Sequence, residues 1–252
     1  MNPTTITPEW HGWLSGASQS FPETHWSVVL AAGELGGASA QNALAKLCED
    51  YWYPLYAHVR RRGYDAHEAQ DLTQEFFARL LEKHSINTAD KERGRFRSFL
   101  LGALNHFLNN EWKRSRTLKR GGACNIISWD AHTAEERYVL EPYHELTADK
   151  IFERRWAFSI LERVMEDLSN EYSASGRGQL FEQLQVALSG SKRTQLYVQI
   201  ARELNMSEGA VNVAVHRLRQ RYGKLLRARI AQTVGSEAEI EDEVRHLFAS
   251  IE

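Results

Sequence analysis

Apolar residues recur at three- and four-residue spacings in window after window of this chain, and no stretch alternates apolar with polar positions as a half-buried strand does. The pattern predicts an all-α fold. A first helix is expected from Ser39 through Tyr51 on Ala43, Leu44 and Leu47. Pro54 is expected to open a second one through Arg62, because proline suits the first position of a helix and not its middle. Gly63 then stands where a C-cap belongs. Asp65 and Glu68 have capping-box spacing, and Ala69, Leu72, Phe76 and Leu80, with Phe77 and Leu81 alongside, make one apolar stripe. That stripe leaves Asp71, Gln74, Glu75 and Arg79 outward. The clearest rhythm is Phe96, Phe99, Leu100, Ala103, Leu104, Phe107, Leu108 and Trp112, over four turns, with Arg97, Asn105, Asn109, Asn110 and Lys113 on the other face.

From Leu118 to about Leu146 no period holds, and Gly121-Gly122 followed by mixed polar residues reads as a linker. Helix resumes near Asp149, with Trp156, Ile160, Val164 and Leu168 aligned, and breaks at Ser173 to Gly178. A short helix follows on Leu180, Phe181, Leu184 and Leu188. Between Tyr197 and Leu226 the pattern sharpens. Ile200, Ala201 and Leu204 turn inward on a helix that stops at Asn205-Met206, and Ser207 is placed to cap the next, with Glu208 early where an acid suits the dipole. On that second helix Val211, Val215, Leu218, Tyr222 and Leu225 form the inner stripe, which forces Asn212, Val213, His216, Arg217, Arg219 and Gln220 outward. Most of those side chains bond phosphates or base edges, and a helix, a tight turn and a basic helix form the arrangement that enters a major groove. Ser236 and Glu239 repeat the capping-box spacing before Ile240, Val244, Leu247 and Phe248, so a short amphipathic helix is expected to close the chain.

Length and charge change this picture in two ways. At 252 residues the chain exceeds one ordinary small domain, so two are expected. The formal net charge of -2 suggests no nucleic-acid partner, yet the charge is unevenly placed. Between Lys91 and Gly122 nine cations face only Glu92 and Glu111, and between Ser207 and Ile230 six face only Glu208. Acidic segments, 134–171 and 235–252, separate and follow them, restraining non-specific adhesion while the basic segments supply local positive potential. Cys48 and Cys124 offer no disulfide framework and no metal-ligand spacing. No apolar run is long enough for membrane insertion, and Met1 to Trp13 lacks the order of a signal peptide, so a soluble, cytoplasmic protein is expected. There is no glycine-rich phosphate loop, metal-ligand cluster or nucleophile elbow, so neither an enzyme nor a cofactor is expected.

Tyr64 to Leu81, then Arg95 to Asn109 and Lys113-Arg114, resemble region 2 of the extracytoplasmic-function (ECF) sigma factors of bacterial RNA polymerase, in the sigma-70 superfamily. Tyr197 to Val211 and His216 to Arg219 resemble their region 4. Together the two regions would cover roughly Ala38 to Arg120 and Ala157 to Arg229, about three fifths of the chain. The resemblance implies a region 2-like domain at 38–120 after an N-terminal extension, 1–37, and a linker, 121–148. A region 4-like domain, 149–234, and a C-terminal helix, 235–252, would follow. It implies that Asp71, Gln74, Glu75 and Arg79 dock on the clamp helices of the polymerase β′ subunit, with the β subunit a further contact. It implies that Arg97, Asn105, Asn109, Trp112, Lys113, Arg114 and Arg116 meet the minus-10 promoter element. Cations for phosphates, with amides and aromatics for unpaired bases, suit that task. Trp112 also lies on the apolar stripe, so core packing is the competing expectation for it. The minus-35 element would be read through Ser207, Asn212, Val213, His216 and Arg217, with Arg219 and Arg221 toward phosphates. An anti-sigma protein is a candidate regulator.

Three features depart from the family pattern: a long stretch before the second helix pair, Tyr172 to Thr194; a long linker with an acidic helix after it; and added segments at both termini. The competing function class is a stand-alone helix-turn-helix transcriptional regulator. The separate basic helix near Phe96 counts against it, since such a regulator needs no second nucleic-acid surface.

Overall fold

The computed structural model describes residues 38–82, 95–115, 131–139, 146–189 and 194–252. Every regular element among them is helical. In chain order they are α1 (Ala38–Arg61), α2 (Ala66–Glu82), α3 (Phe96–Ser115), α4 (Ala131–Val139), α5 (Ala148–Ala174), α6 (Gly178–Leu184), α7 (Thr194–Glu203), α8 (Glu208–Ala231) and α9 (Ile240–Ala249). Short 3-10 turns, Gln185–Ser189 and Glu237–Glu239, follow α6 and precede α9. The N-terminal extension, Arg116 and the glycine pair at 121–122 lie outside the described residues.

The chain divides into two compact units. One takes the described residues up to Ile160 together with Ile230–Glu252; the other is Leu161–Arg229.

In the first unit the buried stripes of five helices meet. Tyr51, Leu55, Tyr56 and Val59 of α1 are buried, as are Ala69, Phe76, Phe77 and Leu80 of α2 and Phe96, Leu100, Leu104, Phe107 and Leu108 of α3. Phe152, Trp156 and Ile160 of α5 and Val244 and Leu247 of α9 complete this core. Rings lock it edge-on and tilted: Tyr51 lies 5.5 Å from Phe96 and Phe76 lies 5.8 Å from Phe107, geometries that add to the area buried. Gly63, at φ 96°, ends α1 in the left-handed region as expected. The capping box forms as well: the Glu68 N–H donates to Asp65 Oδ1 at 2.8 Å and the Asp65 N–H to Glu68 Oε2 at 3.3 Å.

Three expectations are corrected here. Pro54 lies inside one continuous helix and does not open a second. The ring removes a single backbone bond, and the surrounding stripe is buried on both sides of it, so packing outweighs the break. The segment 121–148, expected as a linker, contains α4, whose Ala134 and Tyr138 are buried. Glu135 of α4 takes Arg60 Nε at 2.9 Å and Nη2 at 2.6 Å, and accepts the Tyr56 hydroxyl at 2.5 Å. Those bonds hold its carboxyl below the usual range. Third, Ser236 makes no side-chain cap; Glu239 instead accepts the Gly235 N–H at 3.2 Å. The final helix is not a separate appendage, because it belongs to the first unit.

In the second unit Val164 and Leu168 of α5, Phe181 and Leu184 of α6, Ile200 and Ala201 of α7, and Val211, Val215, Leu218 and Tyr222 of α8 are buried. The break after α5 is a glycine-centred stop: Gly176 sits at φ 70°, its N–H reaches the Ser173 carbonyl at 3.0 Å, and the Arg177 N–H reaches back to Tyr172 at 2.8 Å. Leu225, expected on the inner stripe, is half-buried, and Leu226 takes the buried place. The stripe drifts because 3.6 residues per turn does not divide a seven-residue spacing.

Candidate nucleic-acid interface

On α3 the expected outer face separates into two parts. Arg97, expected at DNA, is 2% exposed and turned into the first unit. Its Nε donates to Glu153 Oε2 at 2.6 Å, its Nη1 to Glu243 Oε1 at 2.9 Å, and its guanidinium stacks 4.8 Å from the centre of the Trp156 ring. Glu243 is fully buried and is also held by Arg95 Nε at 2.8 Å. The physical reason is register. Arg97 precedes Leu100, Leu104, Phe107 and Leu108 by 3, 7, 10 and 11 residues, so it falls on the buried side of its helix. Burial raises the pKa of Glu243 and lowers that of Arg97, each opposed by the partner's charge. Sequence reasoning missed Glu243, although Ile240, Glu243, Val244 and Leu247 stand at i, i+3, i+4 and i+7.

Asn105 also turns toward the protein. Its Oδ1 accepts from Arg62 Nη1 at 2.6 Å and lies 3.1 Å from Nε2 of the buried His58. His58 is pushed below its usual pKa by burial, against the opposing pull of the Ala148 backbone, Asn105 and Asp149. The end of α3 is different. Asn109 is exposed and Trp112 is 53% exposed, so the expectation of core packing for Trp112 is overturned. The drift of the stripe over four turns carries position 112 out of the core. Lys113 and Arg114 are in α3, and their side chains lie outside the described residues, as does all of Arg116.

On α2, Asp71 is exposed while Gln74, Glu75 and Arg79 are partly buried. Arg79 pairs with Glu75 one turn away, donates to Glu111 Oε1 of α3 at 2.7 Å, and lies 5.1 Å from the centre of the Phe107 ring. It therefore braces α2 against α3.

In the second unit α7 ends at Asn205, at φ 51°. The Asn205 N–H reaches Arg202 at 3.3 Å and the Met206 N–H reaches Ala201 at 2.8 Å, a left-handed cap made with asparagine in glycine's place. Ser207 then caps α8, its Oγ accepting the Ala210 N–H at 3.2 Å. Asn212, Val213, His216, Arg217 and Gln220 are exposed. Arg219 and Arg221, expected toward phosphates, are tied back. Arg219 Nη2 donates to the Ala187 carbonyl at 2.6 Å. Arg221 grips Glu171 with two bonds, one of them Nε to Oε2 at 2.7 Å, which keeps the Glu171 carboxyl below its usual pKa. Arg229 likewise grips Asp167, at 2.9 and 3.0 Å. The acidic helix after the linker thus supplies partners for the far side of α8, a role that the charge count alone did not reveal.

Residues 47–117 match the family model of sigma-70 region 2. This part of the chain is similar to region 2 of sigma-70 factors. The match spans α2, α3 and most of α1. No curated protein and no solved structure matches the chain. Among the described residues no group of three or more His, Cys, Asp or Glu is placed to hold a metal ion, and no helix is long and apolar enough to cross a membrane.

Proposed function

We propose that the protein is a sigma factor of the ECF type, a promoter-specificity subunit that binds core RNA polymerase and two promoter elements and is not itself an enzyme. The region 2 match over residues 47–117 carries this reading. The exposed end of α3, with Asn109 and Trp112, offers an amide and a stacking ring for unpaired bases of the minus-10 element. Lys113, Arg114 and Arg116 follow in sequence and would supply cations for its phosphates. The exposed face of α8, with Asn212, Val213, His216 and Arg217, would read the minus-35 element, and Ser207 shapes the start of that helix. Exposed Asp71 is the leading polymerase contact on α2, with Gln74 and Glu75 beside it. Arg97 and Asn105 drop out of the DNA set, and Arg79 acts as a brace. Each DNA contact set is small, and a shared polymerase makes the second contact intramolecular.

The test is transcription in vitro with purified core polymerase and a genomic fragment library. Initiation from a defined set of fragments that depends on this chain supports the reading, and no chain-dependent initiation overturns it. Asp71→Arg should abolish co-purification with core polymerase while circular dichroism is unchanged. Trp112→Ala should slow promoter opening, a loss of about 1 to 3 kcal/mol for one stacked base.

A further inference from the structure

We propose that Val213 sets base specificity in the upstream promoter element by packing against the 5-methyl group of a thymine in the major groove. This rests on the reading of α8 as the helix that faces that element.

Gly209, Asn212, Val213, His216, Arg217 and Gln220 stand at i, i+3, i+4, i+7, i+8 and i+11 and are all exposed, so they form one continuous stripe. Val213 is the single large apolar side chain in it, and half of its surface faces out. The helix cannot roll to hide it, because Val211, Val215 and Leu218 are buried on the opposite side. A lone exposed valine is ordinary on a protein surface. This one is set apart by its neighbours. It lies in the second turn of α8, where a recognition helix meets base edges, with Asn212 beside it and Arg217 one turn on. An amide suits adenine and a guanidinium suits guanine, whereas the thymine methyl is the apolar feature that a major groove presents. Valine is stiff about its first side-chain torsion, so its methyls are held out with little entropy to lose. Gly209, one turn earlier on the stripe, leaves the approach open: a Cβ there would meet only Ser207 Oγ, at 4.0 Å.

The test uses the full chain with core polymerase on a promoter that the complex protects. Each thymine of the protected upstream element is replaced in turn by deoxyuridine, which removes the methyl group and leaves the pairing edge intact. One replacement should weaken binding about fourfold, the worth of one buried methyl-sized group. In Val213→Ala that replacement should have no further effect. If no thymine responds while Arg217→Ala still weakens use of the upstream element, the thymine contact is overturned and the reading of α8 stands. A response that persists undiminished in Val213→Ala overturns it too, by assigning the methyl to another residue. If Arg217→Ala has no effect, or no promoter is protected, both fall together.

Discussion

A cation in a basic stretch is a DNA contact only if its guanidinium is outside, and Arg97 is not. It sits between two carboxylates and an indole, and its removal would leave Glu243 buried with Arg95 alone beside it. Breaking a buried pair from one side costs about 3 to 5 kcal/mol, whereas replacing both partners by apolar groups of similar volume can be neutral. Arg97→Ala should therefore lower the unfolding free energy read from urea titrations by that amount, and Arg97→Met combined with Glu243→Leu should return much of it. A stability unchanged in Arg97→Ala would contradict the buried placement. His58 makes a second prediction at this scale. Its folded pKa lies below 6.5, so between the folded value and 6.5 the unfolded chain binds more protons. Stability then falls as pH drops below about 6.5, by linkage. His58→Gln should flatten that part of the pH profile in urea titrations from pH 8 to 5. The depressed carboxyls of Glu135 and Glu171 act lower: their contribution is present above 4.5 and is lost as pH falls through their folded values.

At the scale of elements, the turn between α7 and α8 fixes how the exposed stripe of α8 is offered. Asn205 tolerates the left-handed conformation that ends α7, and a β-branched side chain there does not. Asn205→Gly should leave stability unchanged or slightly raised, while Asn205→Val should cost about 1 to 2 kcal/mol. Thermal unfolding of the two variants separates them. The pairs Arg221 with Glu171 and Arg229 with Asp167 fasten the far side of α8 to α5 within the second unit. They remove two cations from the local positive potential, so the helix presents a narrower basic surface than its six basic residues suggest.

For the whole molecule, the final segment matters more than its position at the chain's end implies. Val234, Glu243, Val244 and Leu247 are buried in the same unit as the region 2 match, and the Phe96 N–H bonds the Thr233 carbonyl at 3.2 Å. Truncation after Gly235 strips away three of those side chains and leaves Arg97 with Glu153 as its remaining carboxylate. Such a chain should unfold at lower temperature, losing more than about 3 kcal/mol, the least that breaking the buried pair alone would cost. Scanning calorimetry of the truncated and full chains checks this. A tail that merely kept the protein soluble would leave the transition where it was.

The all-α class, the stop at Gly63, the capping box at Asp65 and Glu68, and the stripes of α2 and α3 were legible because each depends on residues within a few positions of one another. So was the exposed face of α8, since a helix with one apolar stripe has only one other side to offer. Tertiary structure alone decided that α1 runs through Pro54, that α4 interrupts the supposed linker, and that Arg97 finds Glu153 and Glu243, residues 56 and 146 positions away. Charge patterning along a sequence states how many cations a segment carries. Which of them reach solvent depends on carboxylates brought from distant helices, and only the packing of those helices fixes where the carboxylates stand.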